Sequence, residues 1–140
     1  MDVSLIAARL KAEVPRARDV GQLAELSEAM LGSGGDRSIY VMPVSEKGDE
    51  IKSTGQTKQT ELRVFSVLIC VEARKTGGGD ALDTLAELRG QIKAALIGWV
   101  PAPENGEPVL FAGGEVVELG KGRLWWGDDF YFRGYYRAAN

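Results

Sequence analysis

The apolar residues of this chain change their period several times, and each change marks an element. Val3, Ile6, Ala7, Leu10 and Val14 recur at the spacing of one helix face, with Arg9, Lys11 and Glu13 off that stripe. This predicts a helix over 3–14, stopped by Pro15. Leu23, Leu26, Met30 and Leu31 predict a second helix over 20–31. Asp19 and Gln22 are spaced as a capping pair, and Gly32-Ser33-Gly34-Gly35 closes the helix. Residues 38–44 then read as a strand. Pro43 has no ladder donor, so this strand lies at a sheet edge or ends there. From Ser45 to Lys58 the only large apolar residue is Ile51, which predicts a polar loop or hairpin arm over 45–58. Segments of this length inside a domain are often functional.

Residues 60–73 carry the strongest strand pattern. Val64, Phe65, Val67, Leu68, Ile69 and Val71 are apolar on both faces, which places the strand inside a sheet. After a glycine-rich turn at 75–79, Leu85, Leu88, Ile92 and Leu96 define the buried face of a helix over 80–97. Asp80 is its expected N-cap, Gly98 lies at its end and Pro101 forbids continuation. Trp99 is expected to anchor the helix exit in the core. A polar loop covers 102–108. A strand starts at Val109-Leu110-Phe111, turns at Gly113-Gly114 and resumes over 116–119. Gly120-Lys121-Gly122 makes a hairpin turn into a last strand over 124–137. There Trp126, Phe130 and Phe132 share one face, and Tyr131, Arg133 and Tyr135 the other.

The order α-α-β-β-α-β-β, with hairpin connections, gives an α+β fold: one domain over 1–140, with a mainly antiparallel sheet packed against helices. The expected core is Phe65, Val67, Ile69, Leu85, Leu88, Ile92, Leu96 and Trp99. A chain of 140 residues buries about two thirds of its unfolded surface. That core needs no staple.

Composition then narrows the chemistry. Net charge is −3, so no basic surplus exists for phosphate backbones or acidic lipid. No run approaches the roughly 18 apolar residues of a membrane span. The N-terminus has neither the basic flank nor the apolar stretch of a signal peptide. A reducing, cytosol-like compartment is expected. Histidine is absent, which removes Ser-His-Asp and Cys-His catalysis and the histidine-based zinc motifs. The single cysteine, Cys70, sits in Val67-Leu68-Ile69-Cys70-Val71 and reads as a buried thiol. No glycine cluster has the spacing of a phosphate loop. Asp128-Asp129 would point to opposite faces of a strand, and on a turn could bind a hard cation. A solvated turn is the preferred reading. Glu104 and Glu107 are read as solvated too. No catalytic, cofactor-binding or metal-binding residue is expected.

Seven aromatics crowd the end of the chain: Trp125, Trp126, Phe130, Tyr131, Phe132, Tyr135 and Tyr136. Alternation sends about half inward. The remainder suits a subunit interface better than a base-stacking platform, which would want a basic groove.

In order along the chain, several short stretches resemble the tail terminator proteins of long-tailed phages and Mu-like prophages. They are Ser38-Ile39-Tyr40-Val41-Met42-Pro43, the polar segment after it, Gln59 leading into Val64-Phe65-Ser66-Val67-Leu68-Ile69, and Ala95-Leu96-Ile97-Gly98-Trp99-Val100-Pro101. Pro108-Val109-Leu110-Phe111-Ala112-Gly113-Gly114 and Leu124-Trp125-Trp126-Gly127-Asp128-Asp129-Phe130 complete the set.

The resemblance implies a structural virion protein that ends tail-tube polymerisation at the head-proximal end and provides the head-docking surface. It implies a hexameric ring through which DNA passes. Implied partners are copies of itself, the tail tube protein and a head-completion or connector protein. It also implies assembly in the host bacterial cytoplasm and residence in the virion tail. Candidate interface residues are Glu46, Lys47, Asp49, Glu50 and Lys52 of the arm, and Trp125, Tyr131, Arg133 and Tyr135 of the last strand. Two alternatives remain: another head–tail connector or tube component, and a small enzyme or ligand-binding domain.

Overall fold

A computed structural model describes residues 1–33, 35–49, 58–73, 78–101 and 106–137. Helix α1 (Val3–Glu13) starts where Asp2 accepts the Ser4 N–H at 3.0 Å, and it buries Ile6, Ala7 and Leu10. The chain then differs from its periodicity. Asp19–Gly21 form a short strand, β1, instead of opening the second helix. Gly21 lies so close to Tyr40 and Glu25 that an added Cβ would stand 3.0 Å and 2.9 Å from their carbons. Helix α2 (Leu23–Glu28) is therefore short. Its capping box is Gln22 with Glu25. A wider π turn over Ala29–Ser33 follows, in which Gly32 takes φ 121°.

Strands β2 (Ser38–Gly48) and β3 (Lys58–Glu72) form an antiparallel pair. The segment expected as a loop or arm from 45 is thus a hairpin arm at its base. Residues 50–57, with Glu50 and Lys52, lie outside the described residues. Pro43 sits opposite Phe65, and the register slips between Pro43 and Ser45. That slip is a β-bulge next to the proline. Helix α3 (Gly78–Leu96) begins two residues before the capping position expected at Asp80. It ends at Gly98, with φ 89°, whose N–H donates to Val109 O at 2.9 Å. Strand β4 (Leu110–Gly120) runs through Gly113-Gly114, with a bulge between Phe111 and Gly113 in place of the expected turn and a second between Val116 and Glu118. Lys121 and Gly122, both at positive φ, reverse the chain into β5 (Arg123–Arg137).

The sheet order is β1-β2-β3-β5-β4, antiparallel throughout except where β1 runs alongside Ser38–Tyr40. The α+β architecture of the sequence reading stands, with β1 as an addition. Helices α1 and α3 cover one face. Phe65, Val67 and Ile69 of β3 pack there against Leu85, Leu88, Ile92 and Leu96 of α3 in one buried cluster. Phe65 and Phe130 stack at 5.6 Å, and Phe111 meets Phe130 edge-on. Each such buried side chain stabilises by about 1.5–3 kcal/mol. Trp99 is only half-buried: it lies against the margin of this core, with the Arg9 guanidinium 5.3 Å above its ring.

Among the described residues, the opposite face is covered by α2 and the π turn after it. Leu26, Ala29, Tyr40, Leu68, Cys70 and Trp125 form a second, smaller core there. The short helix cannot span the face. Leu23, Met30 and Leu31, expected as its buried stripe with Leu26, stay exposed, Leu31 at 84%.

Candidate functional site

Strand alternation along β5 sorts the terminal aromatics as the sequence implied, but the two faces meet different fates. Leu124, Trp126, Phe130 and Phe132 face α1 and α3. Trp125, on the other side, is 5% exposed, enclosed by Tyr40, Leu26 and Cys70 under α2. It is therefore filled in by its own subunit, unlike Tyr131 (half-buried) and Arg133 (exposed) further along the same face.

Asp49 and Arg133 come together at the base of the arm. Their side chains pair, Thr60 Oγ1 donates to the same Asp49 carboxylate at 2.8 Å, and Gln59 Nε2 donates to Asp49 O at 2.8 Å. An added Cβ at Gly48 would stand 2.7 Å from Gln59 Nε2 and would displace that amide from Asp49 O. Tyr135 lies opposite Thr60 in the ladder. Glu46 belongs to a different contact: the N-terminal ammonium of Met1 holds its carboxyl below the usual range. Lys47 is exposed beside it. The arm thus leaves the sheet from a base where the Arg133, Thr60 and Gln59 side chains hold Asp49.

The rest of the open face is an apolar cleft of about 310 Å³. Leu26 and Met30 wall one side, Met42 and Val44 another, and Val117 of β4 the far side. Gly127 forms part of its floor, where a Cβ would press on Leu68 and Val117 at 3.1 and 3.2 Å. Strand β4 continues this apolar surface outward: Leu110, Val116, Val117 and Leu119 are all exposed, Leu119 at 69%.

Asp128 is not on a solvated turn. It lies within β5, fully buried, and accepts from Arg89 Nε at 2.9 Å, Arg89 Nη2 at 3.0 Å and Trp126 Nε1 at 2.9 Å. The Arg89 guanidinium also covers the Trp126 ring at 4.6 Å. Gly114 makes room for this group. A Cβ there would overlap Asp128 Oδ1 and come within 2.9 Å of Trp126 Nε1. The Gly-Gly and Trp-x-Asp stretches, noted only as short motifs, thus meet in one clamp between α3 and the sheet. Arg89 was the missed member, since nothing in its own segment marks it. Asp129 points to the other face, beside the cleft.

Cys70 is fully buried, and desolvation pushes its thiol up to about 11. This is the reverse of what an activated thiolate needs. No group of metal-ligating side chains occurs among the described residues. Glu107 is exposed; Glu104 lies outside the described residues.

Residues 1–138 match the family model for phage tail terminator protein. A chain from a solved structure of the virion of a native gene transfer agent particle is similar in fold. It has a TM-score of 0.57 and 15% identity, with 96% of this chain and 94% of that chain covered. No curated protein matches the chain.

Proposed function

This chain belongs to the phage tail terminator family, and from that premise we propose that it caps the head-proximal end of the tail tube. There it ends tube polymerisation and offers the surface on which a filled head docks. It acts as a closed ring, a hexamer on the tail, through which DNA passes without sequence-specific contact. Its partners are copies of itself, the tail tube protein and a head-completion or connector protein. It is assembled in the host bacterial cytoplasm and resides in the virion tail.

The observation that carries this reading is the extent of the family match, which runs over 1–138 and so takes in the arm, the core and both sheet edges. The chemistry of the chain agrees. A closed ring needs two different patches that meet head to tail. The arm with its pinned base and the cleft with β4 are two such patches. Two buried polar groups are committed to packing: Asp128 to Arg89 and Trp126, and Cys70 as a neutral thiol. The protein transforms no molecule. A net charge of −3 suits a DNA passage, because a strongly basic lumen would retain the duplex through counterion release.

Elongating tube subunits supply the test. Purified protein added to a growing tube is expected to stop growth and to be found at one end. Tubes that continue to lengthen past the added protein contradict the proposal.

A further inference from the structure

The two outer edges of the sheet are unlike each other, and they are complementary. At one side β1 covers only Ser38–Tyr40 of β2, so Val41–Gly48 has no strand beside it among the described residues. At the other side, among the described residues, β4 ends the sheet along its full length, Leu110–Gly120. An unpaired edge carrying exposed valines and leucines is a template for another strand. Here the exposed residues are Leu110, Val116, Val117 and Leu119 on β4, and Val44 on β2.

We propose that copies of this chain join by pairing the β4 edge of one subunit with the Val41–Gly48 edge of β2 in the next. This rests on the ring reading above and says how the ring closes. Strand direction supports it. Across β2, β3, β5 and β4 the chain alternates direction, so β2 and β4 run opposite ways. Rotation about a ring axis keeps each strand's direction along that axis. The next β2 therefore meets β4 antiparallel, and the alternation passes unbroken from subunit to subunit.

A β4-to-β4 contact would also be antiparallel, but it is two-fold and stops at a dimer. Charge fits the head-to-tail choice. Strand β4 carries Glu115 and Glu118 and no basic residue. On β2 the Glu46 carboxylate is taken by the N-terminal ammonium, while Lys47 is exposed. Two β4 edges would set glutamates against glutamates. Pro43 removes one donor from the β2 edge and leaves the others. Main-chain bonds then give affinity, and the alternate side chains set the register.

Paired cysteines test this in tails assembled with the variant proteins. Leu110→Cys, Val116→Cys or Val117→Cys on β4 is combined in turn with Val44→Cys, Ser45→Cys or Lys47→Cys on β2. All six sites are exposed, and the native Cys70 is buried. A disulfide needs Cα atoms within about 7 Å, so only a paired register will link. After mild oxidation, at least one combination is expected to give a ladder of covalent oligomers on a denaturing gel, while its single-cysteine parents stay monomeric. A single β4 cysteine that yields dimers alone would replace this arrangement with the two-fold one. Rings visible at tail ends with no ladder from any combination would overturn edge pairing and leave the ring intact. Tails with no ring of this protein would overturn the ring reading itself, and this inference with it.

Discussion

Arg89 and Asp128 are unequal partners, and substitution should expose the difference. The carboxylate is fully buried, whereas the guanidinium side chain keeps 25% exposure. Arg89→Ala strands a buried charge on Trp126 Nε1 alone, which should cost about 3–5 kcal/mol. Asp128→Asn leaves a cation that can turn to water and should cost less; urea unfolding of both variants checks the order. Gly114→Ala should cost about 1–3 kcal/mol by overpacking the same clamp. The second core makes a pH prediction. Burial raises both the Cys70 thiol, to about 11, and the Tyr40 hydroxyl. An unfolded thiol ionises near 8.5. Between there and about 11 the unfolded chain releases a proton that the folded chain keeps, so stability should fall as pH rises. Denaturation midpoints at several alkaline pH values should fall less steeply in Cys70→Val. At this scale the sequence is informative about type and poor about partners. Alternation placed Asp128 and Asp129 on opposite faces. That Asp128 meets Arg89 depends on how α3 docks, which no local pattern records.

Helices and strands with long apolar periods were legible: α1, β3, α3 and β5 lie within a few residues of their sequence bounds. The failures share a cause, in that tertiary contacts outweighed local signals. Three residues of β1 are too few to show a period, and they exist because β2 is beside them. That strand displaced the start of α2, shortened the helix and left its expected stripe exposed. Gly113-Gly114 reads as a turn until β5 supplies a partner that turns it into a bulged strand. Trp99 was expected to anchor the helix exit in the core; half-buried at the core margin beside Arg9, it should cost about 2 kcal/mol on truncation to Ala, checked by thermal unfolding. The arm carries the functional prediction at this scale. Thr60 of β3 and Arg133 of β5 hold its base at Asp49, just past the end of β2. Replacing residues 50–57 with Asn-Gly should therefore leave circular dichroism and the melting temperature nearly unchanged while weakening attachment to tails.

For the whole molecule, the α+β class, the mainly antiparallel sheet and the family were readable from the chain. The two-sided nature of the sheet was not. One face is sealed by α1 and α3. The other is half-closed by α2 and open toward β4, which is where an assembling protein has surface to offer. Strand alternation gives the side of the sheet but not its cover: Trp125, a candidate interface residue, is buried beneath α2 in its own subunit. The central claim is that this surface recognises copies of itself and a polymer end. Negative-stain microscopy of particles produced with and without the protein tests it most directly. Without it, tails of uncontrolled length, and heads that never join them, are expected; tails of normal length joined to filled heads in its absence would contradict the account.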